Sequence, residues 1–383
     1  MTPNTPHATM AMRARAQSKS DGDMAEAEFR ARFSALLAQA PPHLVRESAF
    51  AVLPADLPPW LDTGIELTAG EQVTVFAVGR AWLERTLGLW VQPDFQLWYR
   101  IGDTGDVFRG TRCSHTFAVG ETGRLFLGNY FPGEWATRAG ALAVPADAYR
   151  QNEGSFCVAV VRWAVQPLEG LRQLVSLGDV ASLLSSEIDR LVHPVTPPQG
   201  WDYLWYLGPA EIYTAGPPAP QRPSIQCYTH RDAGILHTDV SMPLTPDTRL
   251  RWAWKVDSLP SQEREDQFHK HDYLSIAVEF DNGQDLSYFW SATLPPETGF
   301  RCPIPTWQGR ETHVVVRSGH DGLGRWWQEE RPLYSDYERW VGPPPARIVR
   351  VWLIAASVLN GQEGQCEYGA IELQAGETVV TVN

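Results

Sequence analysis

The sequence predicts a mainly β protein: two antiparallel β-sandwich, jelly-roll-like domains joined by a helical linker, with one amphipathic helix ahead of them. Three observations predict it. Short runs such as Gln72–Val78 (QVTVFAV) and Leu250–Val256 (LRWAWKV) alternate side chains at the period of two that a half-buried strand requires. The 31 glycines and 30 prolines cut the chain into many short elements, which favours strands over long helices. A length of 383 residues exceeds one ordinary core and fits two.

The elements follow in order. Residues 1–23 read as a polar, disordered tail. In 24–59, Phe29, Phe33, Leu36 and Leu37 recur at helical spacing until Pro41-Pro42 ends the pattern, which makes one amphipathic helix and a connector. Residues 60–165 carry strand-like runs at Gln72–Val78, Phe95–Ile101, Gly123–Gly128 and Ser155–Val161. From 166 to 224, Leu171, Leu174, Val175, Val180, Leu183, Leu184, Ile188 and Leu191 suit a broken helix pair, and a Pro-rich stretch follows. Strands return in 225–383, at Leu250–Val256, Leu274–Phe280, Leu286–Trp290, Thr312–Val316, Val349–Ala355 and Ala370–Leu373. In LRWAWKV, Trp252 and Trp254 share one face.

A net charge of −13 argues against nucleic acid and anionic membrane surfaces, both of which need clustered Lys and Arg, and leaves neutral glycans or small molecules as partners. Sixteen tryptophans are an excess with a use, because aromatic faces stack on the apolar faces of sugar rings. The five cysteines form no C-x-x-C pair, so neither a zinc site nor a disulfide framework is expected, and the site has no metal. With no apolar leader and no stretch of roughly 18 apolar residues, a cytoplasmic location is expected.

The runs LWYRIGDTGDVFRGT (Leu97–Thr111), GRLFLGNYFPGEW (Gly123–Trp135) and QNEGSFCVAV (Gln151–Val160) occur in that order. Together they resemble the bacterial calcium-dependent galactose-binding lectins, which are small jelly-roll-like sandwiches. The resemblance implies a ligand site at Asn129, Tyr130, Glu134, Trp135, Gln151 and Asn152. It also implies calcium, but Asn129-Tyr130 stands where the family has Asn-Asp. A calcium site that lacks its carboxylate is weak, since hard oxygen ligands hold this ion. An insertion near Ala136–Arg150 enlarges the ligand loop. A retained calcium site, a calcium-free site and a lectin-like scaffold are the three readings, and no cofactor is expected.

Further on stand WAWKV (Trp252–Val256), HDYLSIAVEF (His271–Phe280), EERPLYSDYERWVG (Glu329–Gly342) and EYGAIEL (Glu367–Leu373). They resemble a bacterial family of uncharacterised jelly-roll proteins, which implies a sandwich and no particular chemistry.

Two function classes follow. The first is a non-catalytic carbohydrate- or small-molecule-binding protein, to which the C-terminal domain contributes Trp290 and Trp307. The second is a lyase, hydrolase or isomerase using His271, Asp272, Glu279 and Tyr288 as acid/base groups, which requires them to meet in one pocket. His269 and His271 have the H-x-H form of a metal pair, but the nearest following Glu is Glu279, and bonding of this string to backbone is the simpler expectation. Self-association through a sandwich face is a third reading.

Overall fold

Strand after strand is laid down antiparallel, and helices are few, as the alternating pattern requires. The computed structural model describes residues 12–14, 24–131, 133, 135–216 and 223–383. Most of the predicted tail, Glu134 and most of the Pro-rich stretch lie outside the described residues. The chain divides into two units, one comprising 17–195 with 205–209, the other 196–204 and 210–383 with the N-terminal residues to 16.

The first unit begins with α1 (Glu26–Gln39). Nine strands follow: β1 (Val45–Pro54), β2 (Leu61–Leu67), β3 (Gln72–Glu84), β4 (Leu89–Val91), β5 (Leu97–Ile101), β6 (Phe108–Arg109), β7 (Ser114–Ala118), β8 (Gly123–Asn129) and β9 (Glu153–Trp163). One sheet runs β1-β9-β3-β4 with β7 also on β3, and the other runs β2-β8-β5-β6. Alternation decides what each face covers: Phe76 and Val78 of β3 pack with Phe29, Phe33 and Leu36 of α1, whereas Val75 and Ala77 are buried on the opposite face. Helices α2 (Pro167–Val175) and α3 (Leu183–Val192) lie on the α1 side of this sheet and bury Leu171, Leu174, Leu183 and Leu184 there. Polar anchors fix α3. Buried Glu187 accepts from Ser114 Oγ at 2.9 Å and the Thr116 amide at 2.7 Å and pairs with Arg190 at 2.6 Å. Arg112, fully buried, reaches the Ser186 carbonyl and Asp189.

The second unit holds β10 (Asp202–Tyr203), β11 (Tyr213–Ala215), β12 (Ile225–His230), β13 (Ala233–Pro243), β14 (Arg249–Ser258), β15 (Tyr273–Phe280), β16 (Asp285–Ser291), β17 (Gly299–Arg301), β18 (Glu311–Ser318), β19 (Trp326–Pro332), α4 (Leu333–Trp340), β20 (Arg347–Ala356), β21 (Glu363–Ala375) and β22 (Thr378–Thr381). A seven-stranded sheet runs β10-β13-β20-β15-β16-β18-β17, and a six-stranded sheet runs β11-β12-β21-β14-β19 with β22 on β21. Their facing sides form one core, in which Trp252 and Trp254 of β14 meet Tyr288 and Trp290 of β16. Only β16 and β18, among the described pairings, run parallel.

Candidate functional site

Because Trp252 and Trp254 turn inward, the residues between and beside them turn outward, and the outer face of the six-stranded sheet carries a groove of about 670 Å³. Its floor is Ala253 of β14 and Gly369-Ala370 of β21. The β14–β21 register slips there, Trp252 pairing with Ile371 and Trp254 with Tyr368, so two residues of β21 oppose Ala253 alone. The bulge and the three small residues leave the depression. Gly369 has a steric reason: a Cβ there would sit 3.2 Å from the Trp326 ring and 3.3 Å from the Ala253 Cβ.

Trp326 forms one wall and is 49% exposed, unusual for an indole. Strand alternation separates it from Trp327, whose Nε1 bonds the Gly322 carbonyl at 3.0 Å and whose ring lies 3.6 Å from the Arg317 guanidinium. Around the floor stand hydrogen-bonding groups held in place. Glu367 accepts from Ser224 Oγ at 2.6 Å and lies 3.8 Å from Lys255 Nζ. Arg251 bridges Glu330 and Gln374, each at 2.5 Å. Gln328 and Glu330 are exposed. An indole face over a small-residue floor, ringed by fixed carboxylates, amides and a guanidinium, is suited to a flat ligand with an apolar face and a polar edge.

Residues 211–372 match a family model described as a protein of unknown function, DUF3047. The matched span includes every residue that lines the groove. Among solved structures, the chain is similar to the EclA N-terminal domain, described as a PllA-like lectin, at 22% identity over 32% of this chain and 99% of that one, with a TM-score of 0.24. It is similar to the xyloglucanase domain of NopAA, a type three effector from Sinorhizobium fredii, at 8% identity over 49% and 94%, TM-score 0.30. A tandem CBM22 domain of Paenibacillus barcinonensis Xyn10C matches at 9% identity over 88% and 95%, TM-score 0.22. A search of curated proteins finds no match.

In the first unit the residues singled out by the lectin resemblance pack on one another. Tyr130 and Trp135 are buried, with ring centroids 4.4 Å apart; Trp135 stacks on Trp60 at 5.1 Å, and Tyr130 meets Tyr149 of the 136–150 insertion at 4.6 Å. Four rings thus form a column. Asn129 is buried and accepts from Gln96 Nε2 at 2.6 Å. Gln151 is exposed and Asn152 half-buried at its margin, and Glu134 lies outside the described residues.

In the second unit, Trp290 and Trp307 are buried: Trp290 Nε1 donates to the Gly319 carbonyl at 2.8 Å, and Trp307 meets Trp352 edge-on. The acid/base quartet is not brought together. Tyr288 points into the core and donates to Asp336 at 2.9 Å. Asp272 accepts from the Leu359 amide and from Asn360; burial pushes its carboxyl up to about 6, against these donors. Glu279 pairs with Arg350 at 3.0 Å. His271 precedes β15 and packs on His313, whereas Glu279 lies near the other end of that strand.

Sequence reasoning passed over the neighbours of His271. Nitrogen, sulfur and nitrogen atoms of His271, Cys302 and His313 lie within 4.8 Å of one another, all buried. Glu311 Oε2 is 3.5 Å from His313 Nε2. Burial, reinforced by His313, pushes the His271 imidazole down to about 3, which keeps it neutral. Among the described residues, His271, Cys302 and His313 form a group able to hold a metal.

Proposed function

We propose that this is a non-catalytic carbohydrate- or small-molecule-binding protein whose ligand lies in the groove on the six-stranded sheet. The observation that carries the proposal is the half-exposed indole of Trp326 above a floor of Ala253, Gly369 and Ala370. A ring with its face open to water gains by covering that face, and a pyranose offers C–H groups on one side and hydroxyls around its edge. Glu367, Gln328, Glu330 and Arg251 supply the acceptors and donors for that edge. Arg251 of the groove and Lys255 beside it are both ion-paired with neighbouring carboxylates, which disfavours an anionic ligand and is compatible with a neutral one. The separation of His271, Asp272, Glu279 and Tyr288 favours binding over acid/base catalysis, and the column of Tyr130, Trp135 and Tyr149 favours a scaffold role for the lectin-like unit, with no calcium.

The test is a screen of the full chain against neutral glycans, followed by calorimetric titration of the best of them with and without added calcium. Calcium-independent binding that is lost when the groove is blocked supports the proposal. Silence across neutral sugars, or binding that survives the blockage, removes it.

A further inference from the structure

We propose that His271, Cys302, His313 and Glu311 form a structural zinc site on the outer face of the seven-stranded sheet, opposite to the groove. The donors come from three segments. Glu311 and His313 are alternate residues of β18 and project from the same face. Cys302 follows β17, in the crossover between β16 and β18. His271 ends the loop that precedes β15.

The separations fit a tetrahedron that zinc would impose. Zn–S near 2.3 Å and Zn–N near 2.0 Å place sulfur and nitrogen about 3.5 Å apart across a tetrahedral edge. His271 Nε2 and Cys302 Sγ stand at 3.5 Å, as do His313 Nε2 and Glu311 Oε2. The widest separation among His271, Cys302 and His313, within 4.8 Å, needs only side-chain adjustment.

The surroundings point the same way. His271 Nδ1 is bonded to the Glu265 carbonyl, so this nitrogen carries the proton and Nε2 turns its lone pair toward Cys302. That is the supporting bond a metal-bound histidine makes. Glu311 is likewise supported, by the Tyr273 hydroxyl at 3.3 Å. His313 is fully buried, and neither of its ring nitrogens makes a hydrogen bond. Nε2 at least faces the Glu311 carboxylate, but a buried ring nitrogen without a partner is costly, and a ligated metal would engage one of the two. Phe300 stacks on His313 at 5.2 Å and Phe289 stands edge-on at 5.8 Å, giving the apolar wall of a closed site without an open coordination position. A divalent ion also balances one thiolate and one carboxylate. With a carboxylate as fourth donor, the set of two imidazoles, a thiolate and a hard oxygen suits zinc.

The experiment uses the full chain. Metal content is measured on protein purified without chelator; the protein is then stripped and titrated with Co²⁺, whose thiolate charge-transfer absorption reports a cysteine in the coordination sphere. The proposal expects one metal per chain, the absorption in the wild-type protein, its loss in Cys302→Ser with retention in Cys113→Ser, and an affinity at least about 100-fold weaker in His313→Gln, beyond what a lost supporting group alone produces. It also expects the thermal midpoint to fall on stripping and recover with Zn²⁺. Wild-type protein that takes up no Co²⁺ and shows no charge-transfer absorption overturns the proposal, whether or not the variants fold. So does absorption that persists in Cys302→Ser.

Discussion

Replacing Trp326 with alanine removes the wall of the groove and little else. A tryptophan contributes roughly 150–250 Å² of surface. At 49% exposure about 100 Å² of Trp326 faces water. A ligand that covers half to all of this area gains about 1.2–2.5 kcal/mol at ~25 cal/mol per Å². Losing it weakens binding by about 8- to 60-fold, since 1.4 kcal/mol is a factor of ten. Stability changes less, because an exposed side chain on a strand that keeps its ladder is usually worth within about 0.5 kcal/mol. Calorimetric titration of the best neutral glycan against wild type and Trp326→Ala measures the first quantity, and denaturant unfolding of both measures the second. Equal affinities in the two proteins would refute the assignment of Trp326 as the stacking surface, provided the unfolding midpoints agree.

Other consequences are open to measurement. Ala253→Leu puts a branched side chain on the floor between Trp326 and Gln328 and is expected to reduce glycan binding at least about tenfold with an unchanged fold, read by titration and circular dichroism; undiminished binding places the ligand elsewhere. Glu187→Ala strands the Ser114 hydroxyl, the Thr116 amide and Arg190, and should cost about 3 kcal/mol in denaturant unfolding of the first unit; a loss below about 1 kcal/mol contradicts the anchoring role. Burial raises the Glu187 pKa, but the bonds from Arg190 and Thr116 outweigh it and hold the carboxyl below its usual value. Its contribution is therefore present above the unfolded-state value near 4.3 and lost as the pH falls through the folded-state value. The His115 imidazole, against Tyr99 and Phe117, is pushed down to about 4, chiefly by burial, with Arg190 lowering it further and Glu187 opposing. The unfolded chain then binds the proton first, so stability drops by about 3 kcal/mol as the pH falls from 6.5 toward 4. His115→Phe should flatten that slope, and an unaltered profile in the variant assigns the pH dependence to another group.

How far the molecule was legible in its sequence depends on the distance over which each feature is made. The β class followed from alternation within single strands, and LRWAWKV already had Trp252 and Trp254 sharing a face, the one now packed on Tyr288 and Trp290. The same rule separates Trp326 from Trp327, but which of them meets water depends on a partner strand. The groove floor was not legible, because it arises where Ala253 meets a bulge more than a hundred positions later. The acid/base quartet looked close because its members crowd along 271–288, yet they are shared among a loop, β15 and β16, and Tyr288 turns into the core while Asp272 and Glu279 are held by partners of their own. Cys302 and His313 escaped notice for the opposite reason: no spacing rule joins donors from a loop, a crossover and a strand. Tyr130 stood out as a substitution in the lectin pattern, but only Tyr149 and Trp60 show that rings fill the space around it.

The parallel pairing of β16 with β18 has an architectural price. Two neighbours running antiparallel can be joined by a tight turn that leaves both faces of the sheet uncovered. Two running the same way cannot, and the chain must travel back the length of the ladder before it re-enters. Residues 292–310 make that return journey, first adding β17 at the sheet edge, which sets Phe300 beside His313, and then setting Trp307 against Trp352 on the outer face. Shelter for Asp285, Glu311 and His313 is thus a by-product of strand polarity. A chain that keeps this polarity can exchange the returning segment, and with it the chemistry beneath, while the ladders from β10 to β18 stay as they are and only the edge strand β17 changes.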